Sequence, residues 1–335
     1  MILTGREQFE RLDHKWTYFC HTTTSSYQIG PFVLSLIFAS PSLKEKITPA
    51  FNHLKLNQNP TADLTVYLWD TTEQKLPTLD WHSINRNGYH GHYEDSIYFH
   101  YFDDINALSV LNAKKNKAHY IVRNVQKLPW WVSGSPLQVI LHAWLREKGL
   151  QLTHTAAVAN EQGAVLLTGK GGSGKSTATL SCLTEGLYYL SEDYCILAPG
   201  KSPQVFSLYQ SAKWTSHTRK LFPHYDQFIA NPDTANKEKA LIYYQDIFPL
   251  QIKTSAPIRA IVSLKIEDTH LPVLEKQDLP SSLKSLIMST LIQLPFSHCR
   301  TISLLKDVTA QIPCYQLTLG KDLKENTRRI QEILL

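Results

Sequence analysis

Two adjacent carboxylates, Glu192 and Asp193, follow a run that reads Gly169-Lys170-Gly171-Gly172-Ser173-Gly174-Lys175-Ser176. The run meets the phosphate-cradling pattern G-x-x-x-x-G-K-[ST] at every fixed position. Its four glycines let successive backbone N–H groups turn toward one centre without Cβ clashes, and a helix opening there adds its positive dipole end. Polyphosphate is the guest that suits such a cradle. Lys175 would reach the β- and γ-phosphates as a point charge, and the Ser176 hydroxyl would ligate Mg²⁺. The expected ligand is ATP with Mg²⁺, held by residues 169–177, Thr177 included.

A cradle alone does not separate a kinase from an ATPase, a GTPase or a motor, so the neighbouring acids decide. Two carboxylates at a strand end beside the loop can divide the work, one holding Mg²⁺ and the other accepting a hydroxyl proton. Their mutual repulsion favours metal binding, or a raised pKa for one of them. His154 opens the strand region just before the loop. Lys213, Arg219, Lys237 and Lys239 lie downstream, where a cation could offset charge on a transferred phosphoryl group; Lys213 and Lys239 are the candidates.

The elements that must position these residues are legible as alternation. An apolar run at 164–168 predicts a buried strand before the loop, and 177–183 predicts a helix after it. Residues 187–191 read as a strand closing on the acid pair, with further strands at 258–264 and 314–319 and a closing helix near 323–335. Strands alternating with helices make an α/β layered core. Residues 199–239, with Pro203, Pro223 and Pro232, read as loops over the site.

Upstream, 32–38, 64–69 and 96–102 read as strands separated by turns at 57–60 and 85–88, a β-rich or α+β module. His82, His90, His92 and His100 cluster there without metal-ligand spacing and read as exposed or aromatic-packed strand histidines. Residues 136–150 have helical periodicity through Leu137, Ile140, Leu141 and Trp144 and would join the two modules. The expected domains are therefore 1–128 and 129–335.

A chain of 335 residues exceeds what one core usually supports. Its net charge of +5 is scattered rather than blocked, which points away from nucleic acid. Five cysteines, an odd number without C-x-x-C spacing, exclude a disulfide framework or zinc site and suit a reducing cytoplasm. Cys182 and Cys195 read as buried hydrophobes. The N-terminus carries no signal-peptide pattern, and no apolar stretch reaches membrane-spanning length.

His154, the loop and the Glu192-Asp193 pair, with the spacing between them, resemble the catalytic core of the HPr serine kinase/phosphorylase family over residues 154–197. Residues 312–317 are more loosely similar to a late strand of those proteins. The N-terminal half resembles kinases of ribosomal-peptide modification, including lasso-peptide kinases, and phosphoenolpyruvate carboxykinase shares the core more distantly. The resemblance implies a P-loop catalytic domain of the HPr-kinase/carboxykinase type. It implies His154 near the γ-phosphate or metal, Lys175 and the loop amides on phosphates, Ser176 and Asp193 on Mg²⁺, and Glu192 as acid/base. Two features depart from the family: Glu-Asp stands where Asp-Asp is usual, and the glycine-rich signature of the bifunctional enzymes is missing after the acid pair. The second points away from sugar-regulatory HPr as acceptor.

The expected function is an ATP- and Mg²⁺-dependent kinase acting on a hydroxyl, serine first, of a peptide or small protein recognised by the N-terminal module. The alternatives are a nucleotide-gated binding protein and a kinase of free serine or a sugar. A homo-oligomer is compatible with each of these.

Overall fold

The computed structural model describes residues 5–19, 21–72, 96–296 and 299–335. The chain divides into two compact units after Lys148.

The first unit is built on a mixed sheet. Its strands are β1 (Thr23–Ile29), β2 (Phe32–Phe38), β3 (Leu64–Asp70), β4 (Ile97–Phe102), β5 (Ala107–Asn112) and β6 (Lys117–Val122), in the order β1-β2-β3-β6-β5-β4. Three of these are the runs expected from sequence. Helix α1 (Gly5–Trp16) buries Phe9 and Leu12 against Trp69, Tyr101 and Val110, and α2 (Pro41–Ile47) and α3 (Trp130–Gly134) complete the small helices. His100 is buried in β4 with its ring edge-on to Phe102 at 4.1 Å, the packed strand position expected of it. His82, His90 and His92 and the turn at 85–88 lie outside the described residues.

Helix α4 (Gln138–Glu147) corrects the domain boundary at 128/129. Its periodicity predicts the helix, but its partners belong to the first unit. The Trp144 indole N–H donates to Asn116 Oδ1 at 2.9 Å, Phe32 packs edge-on to Trp144, and Arg146 donates to the Tyr98 hydroxyl at 3.1 Å.

The second unit is a three-layer α/β structure. Its strands are β7 (Gln151–Thr153), β8 (Ala156–Ala159), β9 (Ala164–Thr168), β10 (Tyr188–Ser191), β11 (Cys195–Ala198), β12 (Gln204–Ser207), β13 (Ser211–Trp214), β14 (Ala240–Tyr243), β15 (Ser255–Ile266), β16 (Val273–Lys276) and β17 (Cys314–Leu319). Its helices are α5 (Lys175–Thr184), α6 (Ser216–Leu221), α7 (Leu279–Gln293), α8 (Cys299–Thr309) and α9 (Leu323–Ile333). The main sheet runs β10-β8-β9-β15-β12-β11-β7, and β17 pairs with β15 and β16.

Strand β9 is buried at all five positions and apolar at the first four, Ala164–Leu167, because both of its faces are covered. Ala164 and Leu166 face Leu286 of α7 and Leu305 and Val308 of α8, while Val165 and Leu167 face Ala178 and Cys182 of α5 and Ile330 of α9. Cys182 and Cys195 are fully buried, and burial pushes both thiols up to about 12, so they act as small hydrophobes as expected. The segment 199–239 differs from the loops read from its prolines: it holds β12, β13 and α6, and β13 pairs with β14 as a separate two-stranded ribbon. No described helix is long and apolar enough to cross a membrane.

Candidate active site

Strand direction assembles the site. β10 is antiparallel to β8, β8 is antiparallel to β9, β9 is parallel to β15, and β15 is parallel to β17. The carboxyl ends of β10, β9, β15 and β17 and the amino end of β8 therefore share one edge. Along it stand, in order, Glu192-Asp193, His154, the glycine loop, residues 266–268 and residues 319–321. In a sheet of this type that edge is where ligands bind. A cavity of about 870 Å³ opens along it and is lined by residues of every one of these segments.

The loop at 169–174 turns β9 into α5. Gly169 (φ 145°) and Gly174 (φ 92°) need the left-handed side of the map, and a methyl group on Gly169 would lie 2.9 Å from Ser173 Cβ. Gly171 meets nothing within 4 Å, so it borders open space. Ser173 Oγ is buried with no partner among the described residues. Lys175 Nζ donates to Gly169 O at 2.7 Å and Lys170 O at 3.4 Å, which folds the side chain over its own loop. Burial pulls its ammonium below the ordinary lysine value, while Asp193 and Glu192 hold it up and Lys239 pulls it down.

Register explains how His154 meets the acids although they are distant in sequence. β7 pairs with β11 through Thr153 and Cys195, and β8 pairs with β10 through Ala157 and Ser191. Both chains cross between ladders at the same level, so His154 and the pair Glu192-Asp193 leave the sheet together. His154 Nε2 donates to Asp193 Oδ1 at 2.7 Å, and its ring packs 5.2 Å from that of Tyr194. The other ring nitrogen, Nδ1, is buried with no partner among the described residues.

The two acids occupy opposite environments. Glu192 is only 4% exposed; it accepts from the Lys213 backbone N–H at 3.0 Å and from the Ser176 hydroxyl. Burial pushes its carboxyl up to about 7; the hydrogen bond from Ser176 restrains the rise, and the Asp193 charge adds to it. Asp193, 19% exposed at the side chain, accepts from Lys213 Nζ at 2.6 Å as well as from His154. Burial pushes its carboxyl up too, but Lys213 and His154 outweigh that and hold it well below the usual carboxylate range.

Lys213 comes from β13, where alternation buries Ala212 and Trp214 in the core beneath and turns Lys213 the other way. Lys239 directly precedes Ala240, the ladder partner of Trp214, and lines the same cavity. Of the other cations named from sequence, Arg219 is tied to Asp226 at 2.8 Å and Lys237 is exposed. The structure thus brings together His154, Gly171, Gly172, Ser173, Gly174, Lys175, Ser176, Thr177, Glu192, Asp193, Lys213 and Lys239 around one cavity, while Gly169 and Lys170 support the loop from beneath. Sequence reasoning missed Thr218, whose hydroxyl lies 3.0 Å from that of Thr177, and the end of the cavity at Ile266, Asp268 and Leu319. Leu319 ends a predicted strand, whereas β15 runs two residues past its predicted end at 264 and so carries Ile266 to the cavity.

The donors at the loop are oxygens: the Ser176 hydroxyl and the carboxylates of Glu192 and Asp193. No group of three or more His, Cys, Asp or Glu side chains suited to a metal exists among the described residues. A hydroxyl with one or two carboxylates beside a phosphate cradle fits Mg²⁺, which completes its shell from phosphate and water.

No family model matches the sequence, and no curated protein does. Among solved structures, the chain is similar to the HPr(Ser) kinase/phosphatase from Coxiella burnetii, at 12% identity and a TM-score of 0.31, over 55% of this chain and 97% of that one. A likeness of that size carries no weight for the chemistry, which rests on the residues and distances above.

Proposed function

We propose that the chain is a kinase that transfers the γ-phosphoryl group of ATP, with Mg²⁺, to a hydroxyl, a serine of a peptide or small protein. The observation that carries this reading is the buried Glu192 carboxyl, raised to about 7, beside a glycine loop that opens a helix. A general base works best with a pKa near the operating pH, and phosphoryl transfer otherwise asks mainly for positioning and charge stabilisation.

The acceptor oxygen attacks the γ-phosphorus while Glu192 takes its proton. The bond from that phosphorus to the β,γ-bridging oxygen breaks, and its electron pair leaves with ADP. Lys175 and the loop amides bind the phosphates. Asp193 keeps its charge throughout, because Lys213 Nζ and His154 Nε2 hydrogen-bond its two oxygens, and Lys239, which lines the same cavity, would add positive charge toward the transferred group. Mg²⁺, when bound, would draw on Ser176 and Asp193 and offset phosphate charge. The resemblance of His154, the loop and the acid pair to the HPr serine kinase/phosphorylase core supports these roles, and the first unit is assigned to acceptor recognition.

The test is incubation with γ-labelled ATP, Mg²⁺ and serine-containing peptides, free serine and sugars. Label on an acceptor hydroxyl supports the reading. ATP consumed with no acceptor labelled, in every class, overturns it.

A further inference from the structure

We infer that the first unit carries a carboxylate-binding pocket at the amino end of α4, where two strand hydroxyls and a glutamine amide receive the carboxylate of a peptide. Every residue that lines it belongs to that unit, and the inference stands independently of the kinase reading.

Register puts the hydroxyls together. Ser109 of β5 and Tyr120 of β6 are direct ladder partners, so their side chains leave one face of the sheet side by side. Ser109 is 3% exposed and Tyr120 4%, and both line a cavity of about 30 Å³. Neither hydroxyl has a hydrogen-bond partner among the described residues. Burial raises the Tyr120 phenol above its ordinary value, so its O–H remains a donor. Gln138, the first residue of α4, supplies a third group: its Nε2 is buried with no partner among the described residues, and the residue lines the same cavity.

The helix adds its own polarity. No side chain caps the amino end of α4, because the N-cap position is the aliphatic Leu137, buried and held at φ 58°. An uncapped helix start favours negative charge. The preceding turn does not oppose it, since the Trp131 carbonyl of α3 already accepts from the Ser135 N–H at 3.3 Å. No charged side chain of the described residues lines the cavity, and His100, opposite Ser109 on β4, is neutral because burial pulls it down to about 4. The pocket thus offers donors and a partial positive charge without a counter-ion, which suits a planar monoanion better than a phosphate dianion. Size agrees, for about 30 Å³ admits the few atoms of a carboxylate and excludes a nucleotide or a sugar. Whatever bears the carboxylate must lie outside, where Trp131, lining the cavity yet 40% exposed, presents a flat apolar surface to a peptide chain.

Ligand-observed NMR on the full chain tests this with three probes: acetyl-glycyl-glycine with a free carboxyl terminus, the same peptide as its terminal amide, and acetyl-glutamate amide. At least one of the two acids should saturate, with the terminal amide at least about tenfold weaker than that acid. The tighter acid tells whether a chain end or a side chain is the source. Tyr120→Phe and Ser109→Ala should each weaken that acid by about threefold to tenfold. Their thermal unfolding without ligand should match wild type, because neither hydroxyl has a partner to lose. Equal binding of acid and amide overturns the inference, as does failure of both acids to saturate by about 20 mM. Variants that bind the acid like wild type overturn it too, since binding then lies elsewhere. If one variant is destabilised the other carries the test, and if both unfold well below wild type the hydroxyls serve the fold and the pocket is refuted.

Discussion

Replacing Glu192 by Gln should cost activity and increase stability, and both effects follow from one buried carboxyl. Gln keeps the shape and can still accept from the Lys213 N–H through its carbonyl oxygen while its amide donates to the Ser176 hydroxyl, so the site is not unpaired. What is lost is the base, and kcat should fall by about 10² to 10⁴ with ATP affinity held within about threefold. In the wild type, kcat/KM should fall as the pH drops through about 7, where Glu192 takes up a proton, and the variant should lack that limb.

The stability effect has a definite sign. The folded-state pKa of about 7 lies above the ordinary 4.5, so between those values the folded protein holds a proton that the unfolded chain releases. Stability therefore declines as pH rises across that window and stays lower above it, by about 3 kcal/mol for a shift of this size. Glu192→Gln removes the decline: the variant should be the more stable protein by up to ~3 kcal/mol at pH 8, with the gap closing below pH ~4.5. Denaturant titrations across pH, paired with steady-state kinetics, check both. A variant within tenfold of wild-type kcat, or a stability gap that does not change with pH, would refute the assignment of Glu192 as a buried base.

Three further outcomes are expected. Gly169→Ala forces a methyl group against Ser173 at a φ of 145° and should lower stability by about 2 kcal/mol in thermal unfolding, whereas Gly171→Ala meets no protein atom, should leave stability within ~0.5 kcal/mol and should weaken nucleotide binding by at least about tenfold. Lys175→Met should retain the fold, since its amine bonds only carbonyls of its own loop among the bonds described, and should reduce kcat/KM by about 10²-fold or more. Lys213→Met leaves Asp193 with His154 as its remaining described side-chain partner; stability at pH 7 should fall by about 2 kcal/mol. Because the Asp193 pKa is depressed, its stabilisation is present above pH ~3.8 and lost as the pH falls below that, so acid unfolding of this variant should show a shallower loss in that range.

The parts of the site legible in sequence were those fixed by local chemistry. The glycine run specified a strand, a turn and a helix start in consecutive residues, and the structure has β9, the turn and α5 there. The strand ending at Glu192-Asp193 and the last strand and helix were equally plain, and the structure has β10, β17 and α9 there. What sequence could not give was set by pairing between distant segments. Lys213 is a case in point: its surroundings are rich in proline and read as loop, and only the ladder with β14 makes it a strand residue aimed at Asp193. The domain boundary failed for the same reason, since the periodicity of α4 says that it is a helix but not that Asn116 and Tyr98 hold it. The Asp268 and Ile266 end of the cavity was hidden because β15 runs on for twelve residues, and nothing local marks which of them emerges at the ligand edge.

The division of labour between the acids is likewise a property of the fold rather than of the dipeptide. Sequence left open which carboxylate would ionise easily, since neighbouring Glu and Asp differ by one methylene. The fold decides it by sending their side chains into different surroundings: Asp193 between two donors, one an ammonium, and Glu192 into a buried position whose donors are a hydroxyl and a backbone N–H. Neutral donors offset burial less than cations do, so the two affinities for protons are driven apart. Pairs of titratable groups separated in this way mark an acid/base assignment. The assignment depends on β13, for the same residue that supplies the ammonium to Asp193 supplies its backbone N–H to Glu192. A shift of the β13 register by one residue would point Lys213 into the core and exchange an ion pair for Ala212 or Trp214. The Ala212 and Trp214 packing beneath the ribbon is therefore what holds Lys213 against Asp193 and Glu192.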